Sequence, residues 1–593
     1  MEFDKKTILA FLLIGFVLIL LQTEFYQKHF LPQPTKETAP VEETGTATRE
    51  TEAPSREEPG RSERDEERLT TEEEESSAKG TDGFNHLRGD GEEVIVETDL
   101  YRAVLSTQGA TVRKWLLKEY LMQDSSRVQL VAKNGRRNLG VLLPTATDTI
   151  DTSPYVFSVN KKKIVLNDRK ATDKLEFSLK LDSERELKKI YTFRHNSYDV
   201  GFEIELRNLN DLVEGFSYLV TWSSGLKSTE PDFKADMDKA KAYAHQGEEL
   251  EFSIGDEYEE EKMVNPTEWV AIRTKYFAVA VIPETAKGKD VTFWGTPVDV
   301  GENVPFKQYG FELSMPFVDQ SFKEDRFNVF LGPLDYDIVQ SYNVGLEKIM
   351  DLGWAIFRPF GKFVLWSFTL LHEVIPNYGF VIIVFSIIIK VALFPLTRKS
   401  YRSMKEMQTL QPLMQEINEK YKNDPQKKQQ EVMKLYKEHG VNPLGGCIPM
   451  LLQMPLLIAL FQVFQSTIQL RQASFIWWIQ DLSRPDTIAT LPFTIPLYGN
   501  TVNVLPLFMG VTMFIQQKMS MKDPKQKALV YFMPIFFTLI FNSFPSGLNL
   551  YYALFNLFTI FQEKLIPYKP KEPKPVKKRP VQKRRKHDYR GRF

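Results

Sequence analysis

The sequence predicts a membrane protein in which six transmembrane α-helices carry a large antiparallel β-sandwich outside the cytoplasm. Three observations carry this. The second half holds five apolar segments that are almost free of charge, the middle alternates apolar and polar residues, and Lys and Arg crowd every second loop between the apolar segments. A chain of 593 residues also exceeds what one core accommodates. Its net charge of -1 averages unlike parts, an acidic stretch over 37–93 and a strongly basic final thirty residues. One cysteine, Cys447, excludes an intrachain disulfide and reads as a small buried hydrophobe.

Lys5 and Lys6 precede an unbroken apolar run over 8–21, and no small-x-small cleavage site follows. Residues 1–22 therefore read as an uncleaved signal anchor, with Phe25 and Tyr26 at the membrane interface. Residues 23–92 are rich in Pro, Glu, Thr, Ser and Arg and poor in large apolar side chains, so they read as a disordered acidic linker. From 93 to 340 the pattern has period two. In 198–207 every second residue, Tyr198, Val200, Phe202, Ile204 and Leu206, is large and apolar, as a strand with one buried face requires. Similar runs at 94–98, 103–106, 163–165 and 276–282, separated by turn residues, predict the sandwich.

Over 346–372, Glu347, Asp351, Arg358 and Lys362 fall within about 60° of one another on a helical wheel. This predicts an amphipathic helix bent at Pro359. It lies either on the membrane surface or on the sandwich. The core, 380–566, holds apolar segments at 380–397, 444–468, 502–515, 528–544 and 548–561. The last three are short against the ~20 residues a bilayer needs, which local thinning accommodates. With the N-terminus inside, the basic loops 398–440 and 518–527 and the basic tail 567–593 all fall on the cytoplasmic side. The tail serves topology, or it contacts ribosome, RNA or anionic lipid.

Lys390 stands among Ile387-Ile388-Ile389 and Val391-Ala392-Leu393. An ionisable residue inside a span costs roughly 2.5–3.5 kcal/mol and is functional by default. It lies about 10 Å from the helix end, beyond full snorkelling reach. Polar residues recur at helical spacing in the other segments: Gln462, Gln465 and Gln469; Thr512 and Gln516; Asn549, Tyr552 and Asn556. Singly, each reads as an interhelical hydrogen bond. Together with Lys390 they suggest a wet groove. In the loop 398–440, a stripe including Met404, Met407 and Met414 precedes an Asp424-Pro425 turn and a second arm ending at Gly440, which predicts a helical hairpin. Its methionines either offer an adaptable apolar contact or hold the arms together. A GK[ST] phosphate loop, HExxH, Cys/His zinc spacing and GxSxG are all absent from the sequence. The chain therefore reads as a non-enzyme with neither catalytic residues, metal nor cofactor.

Several motifs now stand together: Phe394-Pro395-Leu396-Thr397, Asn442-Pro443-Leu444-Gly445-Gly446-Cys447, Gln453-Met454-Pro455, Leu470-Arg471-Gln472-Ala473, and Phe544-Pro545-Ser546-Gly547-Leu548 with Leu550-Tyr551-Tyr552. In order and spacing across 380–566 they resemble the YidC branch of the YidC/Oxa/Alb insertases. Trp269-Val270-Ala271 and Lys275-Tyr276-Phe277-Ala278 resemble the large periplasmic domain of the Gram-negative type. The resemblance implies a multi-pass inner-membrane insertase and chaperone with both termini cytoplasmic. It implies a periplasmic β-super-sandwich of the sugar-mutarotase kind without that activity, and a five-helix insertase core around a hydrophilic groove. Nascent membrane proteins would be received by the cytoplasmic hairpin and inserted alone or beside the Sec translocon. Ser386 and Tyr552 match family groove positions. Where the family has an Arg, this sequence has Lys390, which keeps the charge and loses the bidentate fork. The rival readings are a small-anion transporter using Lys390 and a carbohydrate-binding or carbohydrate-converting domain on a membrane anchor.

Overall fold

The computed structural model describes residues 82–565, apart from 133–134, 255–256, 300–304, 319, 354–355, 442–447, 497 and 521–526. The signal anchor, residues 23–81 of the acidic linker and the basic tail lie outside the described residues; the end of the linker, expected to be disordered, instead forms a 3-10 helix, Asp82–Leu87, and Arg88 bridges Tyr155 of the β domain.

The period-two run forms the strand Asp199–Arg207, and its apolar residues Val200, Phe202, Ile204 and Leu206 are buried while their neighbours are half-exposed. It pairs antiparallel with Glu186–Arg194 on one side and Phe322–Pro333 on the other, within a nine-stranded sheet. The strands Trp269–Arg273 and Phe277–Pro283 of the same sheet are buried almost throughout, so both of their faces are covered. A six-stranded and a five-stranded sheet complete the β domain. One core joins all three: Trp115 comes from the five-stranded sheet, Trp222 from the six-stranded and Tyr191 from the nine-stranded. Among the described residues, strand pairing is antiparallel except where Glu93–Glu97 meets Lys163–Val165 in parallel.

The predicted helix over 346–372 is divided. Leu346–Ile349 forms a single 3-10 turn between Gly345 and Gly353, both at left-handed φ (78° and 82°), and the helix α1 starts only at Arg358 and ends at His372. Pro359 occupies its first turn, where the missing N–H is harmless, so the proline starts this helix instead of bending it. The expected four-charge face is therefore absent. Asp351 turns to Lys239 of the β domain, and the buried Arg273 donates to the carbonyl of Ile349 at 2.5 Å.

Among the described residues, seven further α-helices follow: α2 Tyr378–Thr409, α3 Gln411–Lys420, α4 Pro425–His439, α5 Ile448–Ser466, α6 Val504–Ser520, α7 Lys527–Phe541 and α8 Ser546–Leu565. Asn377 caps α2 by accepting from the amides of Gly379 and Phe380. The first span was expected to end at residue 397, yet α2 runs on to Thr409, because 398–409 contains no breaker. The hairpin accordingly begins inside α2 and continues as α3 and α4, with Asp424 capping α4 and Gly440 ending it at φ 66°. Among the described residues, α2 alone is long and apolar enough to cross a membrane by itself. Among the described residues, helices α5 to α8 have 19, 17, 15 and 20 residues. The loop before α6 folds as a two-stranded hairpin, Thr487–Ile495 with Gly499–Asn503, which the sequence reading missed.

Lys189 is fully buried in the β domain, and its ammonium donates to the carbonyls of Gly109 and Leu139 at 2.8 and 2.9 Å. Burial pushes its pKa down to about 7, against about 10.4 for a solvated lysine. Above pH 7 the unfolded chain binds a proton that the folded chain has released, so stability rises with pH up to the unfolded value. The unfolding midpoint of the β domain, followed by tryptophan fluorescence in the full-length detergent-solubilised protein, is expected to rise from neutral pH to about pH 9. In Lys189→Met this rise disappears.

Candidate functional site

The helices present large apolar side chains outward. Ile387, Ile388 and Val391 of α2, Leu507, Phe508 and Val511 of α6, and Tyr531, Phe532 and Ile535 of α7 are all exposed. A contiguous apolar surface on this scale is unsuited to water and suited to lipid. The first apolar helix reverses this pattern on its inner face.

On that face Ser386, Lys390 and Thr397 follow at offsets 0, 4 and 11, and all three are buried. Opposite them on α8 stand Tyr552, Asn556, Thr559 and Glu563 at offsets 0, 4, 7 and 11. Two contacts join the stripes. The Lys390 ammonium donates to Thr559 Oγ1 at 2.6 Å and lies 4.3 Å from the centre of the Phe555 ring. Gln562 Nε2 donates to Thr397 Oγ1 at 2.8 Å. Lys390 is 7% exposed and does not turn its charge outward.

One turn beyond Thr559, Glu563 accepts from the Ser520 hydroxyl of α6, and its backbone carbonyl accepts from Lys405 at 3.3 Å. Gln408 donates to the carbonyl of Ser520 at 2.8 Å, so α2, α6 and α8 meet in a polar cluster at this end of the stripes. Thr559 and Glu563 were missed in the sequence reading. The spacing of Tyr552 and Asn556, carried two turns further along the same face, would have found both.

The other expected site residues are distributed unevenly. The Ser386 hydroxyl donates within its own helix to Ile382 at 2.7 Å, and Thr512 does the same to Met509 at 2.8 Å. The Tyr552 hydroxyl is buried without a partner, and its ring packs edge-on against Phe541. Asn556 and Gln516 are half-exposed, whereas the neighbouring Gln517 is the buried one, with an unpaired carbonyl oxygen. On α5 the glutamine stripe is divided: Gln469, just past the helix end, donates to Asp335 at 2.8 Å, Gln462 packs against Gly353, and Gln465 between them is half-exposed. Gln462 and Gln469 therefore serve the junction with the β domain. In the cytoplasmic hairpin, Met407 and Met414 pack with Leu410, Leu435 and Val441 between the arms, and Tyr436 donates to the Met414 sulfur at 3.1 Å. Met404 is half-buried outside that cluster, and Met433 is exposed.

The family described as "60Kd inner membrane protein" matches residues 370–573, and the one described as "YidC periplasmic domain" matches 93–366. The chain is similar to the membrane protein insertase YidC of Prosthecochloris aestuarii, 40% identical over 493 residues, covering 80% of this chain and 82% of that one. This chain belongs to the YidC family. A second YidC, from Chlorobaculum parvum, is 38% identical over 504 residues, covering 83% and 85% of the two chains. Among solved structures, an active YidC insertase crystal structure aligns over 80% of this chain and 92% of that one, with 19% identity and a TM-score of 0.34. The two family matches meet within α1, between residues 366 and 370.

The Lys390–Thr559 contact makes a measurable coupling. Thr559→Val removes the acceptor from a buried ammonium and is expected to cost about 1–3 kcal/mol. The double variant Lys390→Met/Thr559→Val recovers most of that loss, because no charge is then left unpaired. Unfolding titrations in mixed micelles of the single and double variants measure both.

Proposed function

We propose that this protein is an inner-membrane insertase and chaperone, using the face shared by α2 and α8 to bring segments of nascent membrane proteins from the cytosol into the bilayer. The observation that carries the reading is Lys390, an ammonium buried between helices whose outer surfaces are apolar and bonded there to Thr559. The membrane spans are the signal anchor, α2 and α5 to α8, six in all. On this reading the termini and the α3–α4 hairpin are cytoplasmic and the β domain periplasmic, which the Lys and Arg distribution supports.

Short apolar segments and a polar inner face act together. The apolar runs 502–515 and 548–561 hold 14 residues each, about 21 Å of helix at 1.5 Å per residue, against a hydrocarbon core of about 30 Å. The bilayer beside them thins to match. A substrate's hydrophilic flank then crosses less hydrocarbon, with Lys390 attracting its acidic groups and Tyr552, Asn556 and Ser386 lining the way. The half-exposed Gln465 and Gln516 complete the polar surface, with Thr512 buried behind it and bonded within its own helix. Met404 and Met433 offer the adaptable apolar contact on the hairpin, since Met407 and Met414 hold its arms together. Transfer of the substrate's apolar segment into lipid releases roughly 25 cal/mol per Å², a driving force that needs neither nucleotide, metal nor cofactor. Partners on this reading are nascent membrane proteins, the Sec translocon, membrane lipids, and the ribosome through the basic tail and cytoplasmic loops. Family membership favours insertion over small-anion transport.

Lys390→Ala is expected to lower insertion of substrates with acidic translocated tails about tenfold or more, the loss of some 1.4 kcal/mol of attraction, while Lys390→Arg retains it. Depletion and complementation, scored by protease protection of the translocated tail, reads the outcome. Full activity of Lys390→Ala on such substrates removes the electrostatic part of the reading.

A further inference from the structure

The hairpin formed by Thr487–Ile495 and Gly499–Asn503 has a composition that suits poorly a surface bathed in water. No charged residue occurs from Thr487 through Gln517. Ile488 and Phe493 are 55% and 60% exposed, and nearly every residue of the first strand is open. An uncharged, exposed two-stranded ribbon in water is a template for unwanted pairing; Pro492 interrupts the first strand, but none of the charges that soluble proteins place on such edges is present.

The hairpin is nevertheless held in place. Asp486 at its base accepts from the amides of Val504 and Leu505 at 3.1 and 2.9 Å, which starts α6, and from the indole of Trp478 at 3.0 Å. On its other side Asn542, at the end of α7, donates to the carbonyls of Tyr498 and Thr501 at 2.7 and 2.8 Å. Fixed to the ends of α6 and α7, the open face of the hairpin continues into the outward apolar residues Leu507 and Phe508 of α6.

A second observation comes from a different segment. Trp477 is 79% exposed, the most open of the large aromatics beside the helices, and its backbone is left-handed at φ 52°. A bulky residue in that region of the map is strained, so the fold has accepted a cost that projects this ring. Its indole stacks at 5.7 Å on Trp478, the residue bonded to Asp486. Two tryptophans thus adjoin the hairpin base, and tryptophan favours the headgroup level of a bilayer, where one end of the ring is apolar and the other wet.

We propose that this hairpin and the Trp477–Trp478 pair form a lipid anchor, seated in the headgroup and upper acyl region of the bilayer leaflet facing the β domain. The occupant is phospholipid, because the patch carries no charge to pair with an ionic partner and is continuous with the lipid-facing side of α6. Anchoring there holds the outer ends of α6 and α7 at a fixed depth. The inference rests on the membrane placement proposed above, and a control site separates the two.

The full-length protein, with Cys447→Ser as background, is reconstituted into phosphatidylethanolamine–phosphatidylglycerol vesicles. A nitroxide is attached at Phe493→Cys, at Val511→Cys on the outward face of α6, and at Phe216→Cys, an exposed residue of the β domain. The ratio of oxygen to nickel-chelate collision rates reports depth. The expected result is a ratio at 493 several-fold above that at 216 and approaching that at 511. A water-like ratio at 493 overturns the anchor while the ratio at 511 still reports α6 in lipid. Low collision with both reagents at 493 marks a protein contact, a second copy or another membrane protein, and also overturns it. A water-like ratio at 511 overturns the membrane placement itself. The unlabelled protein gives an independent reading: quenching by brominated phospholipid falls in Trp477→Phe, and unchanged quenching contradicts the anchor.

Discussion

A single buried contact organises the helical half of this protein: the ammonium of Lys390 bonded to the hydroxyl of Thr559 across α2 and α8. A charge placed among apolar helices must be solvated by the protein or by water drawn to it, because its transfer to hydrocarbon is costly. That requirement explains why polar residues collect on the two inner faces. Thr397 meets Gln562 below the lysine, and Glu563 with Ser520, Lys405 and Gln408 forms the end of the stripe. Outward, the same helices show Ile, Val, Leu and Phe. One helix thereby serves two solvents, and the division runs along its length at helical period.

The opposite end of the bundle is set by the β domain. Arg471, just past the 3-10 turn Ile468–Leu470 that follows α5, is buried against Glu230 at 2.6 Å, with side chains only 2% and 9% exposed. Gln469 bonds Asp335, Gln472 donates to the carbonyl of Leu121, and the Ser466 hydroxyl reaches the carbonyl of Asp351. A pair so fully withdrawn from water holds its geometry tightly, because either partner left alone would be an uncompensated buried charge. The helical bundle is thus braced at the end that meets the sandwich, while its polar cluster and the α3–α4 hairpin occupy the other end. On the insertase reading, this asymmetry suits a path open towards the cytosol.

Much of this was legible in the sequence where a single period dominates. The alternation over 198–207 became a strand, Asp199–Arg207, with the expected face buried, and Lys390 stood out because one charge interrupted an apolar run. Legibility failed where a local signal competed with tertiary demand. The charges of 346–362 satisfied a helical wheel, but two glycines at left-handed φ and the needs of Arg273 and Lys239 in the β domain divided the segment. The glutamines of α5 had groove-like spacing, and two of the three went to the domain junction instead. Period alone could not choose between Gln516 and Gln517, which differ by one position and by the side of the helix they occupy. The 487–503 hairpin was missed because residues 470–501 read as a loop poor in Lys and Arg, and only the strand pairing reveals the ribbon within it.

The central claim is that the face shared by α2 and α8 is a path for incoming chains, and contact with such a chain tests it most directly. A photoreactive phenylalanine analogue placed at 552 or 556, and separately at the outward-facing Phe532 of α7, is exposed to ribosome-stalled membrane proteins whose first apolar segment has just emerged. The account predicts strong adducts from 552 and 556 and weak ones from 532. Adducts from 532 with none from 552 or 556 would contradict it.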